Sequence, residues 1–114
     1  MLKTPVTDVD RLAMIIVLMD NYMASWTTYN VEDVNKNWIL LHGFVKHLEL
    51  IGETALAMTD EFKGKYYVPW TLLESYKNAF HWDITAEELY QINRDPAFSG
   101  AWTKLLEIFK EVKE

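Results

Sequence analysis

The chain has 114 residues, a formal net charge of −6 and a hydrophobic fraction of 50%. That length suits one core, so the reading is a single domain over residues 1–114, and the apolar content excludes wholesale disorder. With 4 Gly, 3 Pro and no Cys, the composition excludes collagen-like repeats, disulfide staples, thiolate metal sites and cysteine nucleophiles, and it disfavours a turn-rich all-β domain.

In chain order, the elements read as helices. Thr7 is placed to cap a first helix, with Asp8 and Asp10 in the first turn where the helix dipole favours them. Leu12, Ile15, Ile16, Met19, Tyr22 and Met23 follow one helical face, and Thr27-Thr28-Tyr29-Asn30 ends the pattern. A second helix is predicted over 31–58, with the stripe Val34, Trp38, Leu41, Val45, Leu48, Ile51, Ala55 and Met58. Gly43 and Gly52 lie inside it, each costing about 1 kcal/mol relative to Ala; a close helix approach or simple tolerance would account for them.

Residues 62–68 read as a connection, and 70–80 as a third helix opened by Pro69-Trp70. His81-Trp82-Asp83-Ile84 is irregular. Thr85-Ala86-Glu87-Glu88 is a capping box that starts a short helix to about Asn93. Asp95-Pro96 opens a final helix that turns Trp102, Leu105, Leu106 and Phe109 inward. Five helices and no strand signal imply an all-α antiparallel bundle. Most of the five Trp are expected in the core or at an interface.

The acidic balance argues against a general nucleic-acid binder but leaves room for a local basic cleft. The longest apolar run, Ala13–Met19, is too short to span a bilayer, and its acidic flank is unlike a signal peptide. A cytoplasmic protein without membrane association is therefore expected. His42 and His47 are five positions apart and point in different directions on a helix, so no metal site is expected, and no motif calls for a cofactor. Glu49 and Glu53 share a face with Lys46, which suggests salt bridges.

Tyr76-Lys77-Asn78-Ala79-Phe80-His81 gathers a cation, an amide and an imidazole at a helix end. On a continuous helix His81 would lie one turn from Lys77, on the same side. An imidazole titrates near neutrality and a cation can hold a phosphate. Those are the parts needed for metal-independent RNA cleavage, although a Lys and a His at this spacing also occur by chance.

Around these residues the sequence resembles the HEPN superfamily, and within it the HepT-like toxins. His47-Leu48-Glu49-Leu50-Ile51-Gly52-Glu53-Thr54-Ala55 is similar to the family's "N-L-E-x-I-G-E-A-A" helix. Val68-Pro69-Trp70 and Lys77-Asn78 match "I-P-W" and "R-N" at ungapped spacing. The resemblance covers most of the chain, with its specific part from Leu48 to Asn78. It implies a helical homodimer and an Arg-x(4–6)-His motif in a cleft that cleaves RNA without metal. It also implies pairing with an MNT-type nucleotidyltransferase antitoxin, which in many members adenylylates a Tyr two positions after the His.

The chain departs from that pattern at its centre. Lys77 stands in the Arg position and lacks the planar, bidentate fork. Read without a gap, the family His falls on Trp82 and the Tyr on Ile84; with one residue deleted, they fall on His81 and Asp83. Both registers lack the modifiable Tyr and set an Asp beside the site. The first expectation is thus a catalytically degenerate HepT-like dimer that acts by binding, with Glu53 either at the cleft rim or in a structural contact. The alternatives are an active endoribonuclease, with His81 as general base or acid, Lys77 holding the phosphate and Asn78 orienting it, or an unrelated bundle. The apolar faces of the first two long helices are expected to hold the dimer.

Overall fold

Side-chain caps set most of the helix starts. The computed structural model describes residues 7–79, 81 and 83–113. Helix α1 (Asp8–Thr28) begins where the Thr7 hydroxyl accepts the Asp10 amide at 3.0 Å. Helix α2 (Val31–Lys36) begins at a capping box between Asn30 and Asp33. Helix α3 (Trp38–Ala57) begins at Asn37, whose side-chain oxygen accepts the amides of Ile39 and Leu40. Helix α4 (Asp60–Lys65) is capped by Thr59. Helix α5 (Trp70–Ser75) follows Pro69 and passes into a 3₁₀ turn, Tyr76–Asn78. Helix α6 (Ala86–Arg94) carries the Thr85–Glu88 capping box, and α7 (Pro96–Lys113) starts where the Asp95 carboxylate accepts the Ala97 amide at 2.9 Å.

The all-helical reading agrees with the structure: no strand occurs among the described residues. The number and bounds of the helices need correction. The single helix expected over 31–58 is broken at Asn37, which adopts φ −129° and ψ 99°. Its short side chain competes for backbone amides, so one residue ends α2 and starts α3. The connection expected over 62–68 contains most of α4, which Thr59 and two acidic first-turn residues nucleate. The helix expected over 70–80 is α at its start and 3₁₀ at its end, and its last predicted residue, Phe80, lies outside the described residues. Among the described residues, seven α-helices replace the five expected.

Helices α1 and α3 pack along their length and run antiparallel, since Asp8 meets Thr59 at one end and Tyr22 meets Phe44 further along. Helix α7 lies on α1, α5 and the 3₁₀ turn lie on α3, and α2 meets α6. The core between them is rich in aromatics. Trp26 stacks on Phe44 at 4.3 Å between ring centres, Tyr22 meets Phe98 at 5.4 Å, and Tyr76 meets Phe98 at 5.9 Å. The buried Tyr22 hydroxyl donates to the Leu89 carbonyl, which ties α1 to α6. Burial pushes the Tyr22 pKa well above the ordinary phenol range.

The stripe expected on α3 is buried at Val45, Leu48, Ile51 and Ala55, but Trp38 is 70% exposed at the helix start. The break at Asn37 takes Trp38 out of register with Val34, which is buried on α2. On α7 the deepest residues are Phe98, Ala101, Leu105 and Ile108, while Trp102, Leu106 and Phe109 are half-buried, so the inward face is rotated from the expected one. Trp26 and Trp70 are core residues; Trp82 lies outside the described residues. No described helix is long and apolar enough to cross a membrane.

Candidate functional site

Gly52 brings the candidate residues against the body of the molecule. A Cβ at Gly52 would lie 2.1 Å from the Lys77 amide nitrogen and 2.7 Å from its Cα. Only a hydrogen at that position lets the 3₁₀ turn sit directly on α3. At the other interior glycine of α3, Gly43, a Cβ would meet nothing within 4 Å, so that glycine reflects tolerance alone.

The turn itself follows from what precedes it. Trp70 and Leu73 are buried on α5, and the Trp70 indole donates to the Tyr66 carbonyl at 3.2 Å. Lys63 on α4 pairs with Glu74 at 2.7 Å in a partly buried setting. Tyr76 is then carried into the core against Phe98, and the Ala79 amide closes the 3₁₀ turn on its carbonyl at 3.1 Å. Burial, with the Asp95 charge adding to it, pushes the Tyr76 pKa up to about 12. With Tyr76 inward, Lys77 and Asn78 face solvent.

His81 lies past the end of the helical segment, so the one-turn relation to Lys77 expected on a continuous helix does not apply. The turn is closed by the Ile84 amide donating to the His81 carbonyl at 3.1 Å. The imidazole is exposed, and carboxylates engage both its nitrogens. Nδ1 is 2.7 Å from Asp83 Oδ1, and Nε2 is 3.2 Å from Glu88 Oε2. The hydrogen bond to Asp83 leads in raising the His81 pKa above its ordinary value; desolvation opposes it, and the Glu88 and Asp83 charges and the Glu88 hydrogen bond add to the rise. Asp83 is correspondingly lowered, chiefly by its bond to His81.

Glu88 serves two partners. Its Oε1 accepts the Thr85 amide at 3.2 Å within the capping box, and its Oε2 reaches His81. The two carboxylates approach opposite ring nitrogens, which is a clamp on the ring and not a chelate. Among the described residues, no group of His, Cys, Asp and Glu is suited to hold a metal ion.

An imidazole whose two nitrogens both donate to carboxylates has no lone pair left with which to accept a proton. The flanking carboxylates also repel a phosphate anion. The Asp beside the site was legible in the sequence; Glu88 was legible only as a cap. It lies seven positions after His81 across an irregular turn, and no periodicity links the two.

The remaining candidates are placed as follows. His42 meets the edge of the Trp38 ring at 5.4 Å, and His47 Nδ1 is 2.9 Å from the Gly43 carbonyl. Glu53, beside Gly52, is exposed. No family model matches the chain, and neither a curated protein nor a solved structure matches it.

Proposed function

We propose that this chain is a HepT-like HEPN protein of toxin–antitoxin type, silent as a ribonuclease, that acts as a dimeric binding partner of an MNT-type nucleotidyltransferase. The family part of the reading rests on the "I-G-E" and Pro-Trp/Lys-Asn motifs. The contact between Gly52 and Lys77 supports it, because it gives the motif glycine a reason to be next to the motif cation.

The silent part rests on one observation: both nitrogens of His81 are occupied by carboxylates. A general base must reach the proton it abstracts with a free nitrogen. Lys77 in place of Arg and the acidic net charge weaken phosphate binding further.

Apolar surface supports the dimeric part. Trp38 and Ile39 are 70% and 67% exposed at the start of α3, and Val17 on α1 is also exposed. Trp38 and Ile39 are adjacent large apolar side chains left in water, a surface that a second copy can cover.

The test is cleavage of single-stranded RNA in EDTA by the protein and by its His81→Ala variant, together with sedimentation to give the mass in solution. The expected result is no His81-dependent cleavage and a dimer. Cleavage that disappears with His81→Ala would overturn the silent reading in favour of an active endoribonuclease using His81, Lys77 and Asn78. A monomer at high concentration would overturn the dimeric one.

A further inference from the structure

We propose that Glu88 is an autoinhibitory residue that covers Nε2 of an Asp83-oriented His81, so that the chain holds a latent, metal-independent ribonuclease site. The proposal rests on the family reading above and concerns how its site is held silent.

The two carboxylates on His81 are not equivalent. Asp83 is close, at 2.7 Å, and sits on Nδ1. A single carboxylate on one ring nitrogen fixes the tautomer and leaves the other nitrogen free to take a proton, an arrangement that favours general-base catalysis. Asp83 alone would therefore be a positioning residue.

Glu88 changes the outcome because it sits on the other nitrogen, at 3.2 Å. Its second oxygen remains tied to Thr85 in the capping box. Glu88 can thus leave the imidazole without uncapping α6, and the contact is separable from the fold. Among the described residues, the charged groups that bear on the ring are Asp83 and Glu88.

With Nε2 free, the chemistry is a transesterification. His81 takes the proton of an RNA 2′-hydroxyl as the 2′-oxygen bonds to phosphorus and the P–O5′ bond breaks. The 5′-oxygen takes a proton from water, and His81 returns its proton to the hydroxide so formed. The products are a 2′,3′-cyclic phosphate and a 5′-hydroxyl. Lys77, exposed on the 3₁₀ turn, is the cation that the family reading assigns to the phosphate.

The experiment measures cleavage of a fluorescent single-stranded RNA in EDTA by the full chain and four variants: Glu88→Ala, Glu88→Gln, Glu88→Ala with His81→Ala, and Glu88→Ala with Asp83→Ala. Glu88→Gln keeps an oxygen for Thr85 while removing the charge, so a folded variant is available even if Glu88→Ala loosens α6. Glu88→Ala is expected to cut on the order of 10²-fold faster than the parent, the scale of general acid–base catalysis. Adding His81→Ala should return the rate to the parent's. Adding Asp83→Ala should lower the rate and move the pH profile to lower pH, because the carboxylate that raises the base's pKa is gone; a merely structural Asp83 would leave the profile in place. If both Glu88 variants are folded by circular dichroism and neither cuts in a His81-dependent way, the proposal is overturned while the silent binding reading stands. If the parent already cuts through His81, both fail.

Discussion

At the residue scale, the two glycines of α3 make opposite predictions from the same substitution. Gly52→Ala drives a Cβ into the Lys77 backbone, and a backbone gives way less readily than a side-chain tip. The expected loss is about 1–3 kcal/mol, typical of overpacking, despite the better helix propensity of Ala. Gly43→Ala meets nothing and should gain up to about 1 kcal/mol from propensity alone. Urea denaturation of both variants checks the pair; equal effects would sink the close-approach account. Also at this scale, NMR titration should place the His81 pKa above 6.5, and Asp83→Asn should bring it down, since the Asp83 hydrogen bond is the leading cause of the shift. The sign for stability follows from the raised folded-state value. The favourable His81–carboxylate contact is fully present below about pH 6.5 and is lost as pH rises through the folded pKa.

At the scale of elements, one joint holds the start of α1 to the α3–α4 corner. Asp8 accepts the Thr59 amide at 3.0 Å and the Thr59 hydroxyl at 2.6 Å, while Thr59 caps α4 and Arg11 pairs with Asp8 at 3.3 Å. Desolvation pushes the Asp8 pKa up, but the hydrogen bonds from Thr59 and Arg11, with the Arg11 charge, outweigh it, so the net shift is downward. The stabilisation is therefore present above the ordinary carboxylate value and lost as pH falls through the lowered one. Asp8→Asn should lose stability at neutral pH and flatten the decline between about pH 5 and pH 2, as read from urea midpoints. An unchanged acid limb would show that Asp8 does not carry it. The sequence announced the capping chemistry at Thr7, Thr85 and Asp95 because each precedes a clear apolar period. Asn37 and Thr59 are cap residues too but were not legible as such, because the apolar stripe of residues 31–58 runs through Asn37 without interruption and Thr59 opens a helix of only six residues.

At the scale of the whole molecule, the proposed dimer is testable at the exposed Trp38 and Ile39. Replacing both with Ser should convert a dimer to a monomer in sedimentation while leaving the thermal midpoint of the monomer fold nearly unchanged, because neither side chain is buried in the chain's own core. A dimer that survives the double substitution would move the interface elsewhere, with the half-buried face of α7 as the next place to look.

The helical class, most helix starts and part of the buried faces of α1 (Leu12, Ile15, Met19, Tyr22) and α3 (Val45, Leu48, Ile51, Ala55) were legible because they depend on local chemistry: an oxygen placed to take a free amide, and apolar residues at a helical period. Three things were decided only in three dimensions. The second helix divides at a local cap, Asn37, but that this cap prevails over an unbroken apolar stripe goes with α2 packing on α6, which a stripe on one helix cannot report. The role of Gly52 depends on a backbone 25 positions later in the chain arriving at its surface. The state of His81 depends on Glu88 reaching it from the first turn of α6. Local pattern constrains which residues are buried and where helices begin; which side chains then meet across an irregular turn is set by packing, and the second carboxylate on the imidazole follows from that meeting.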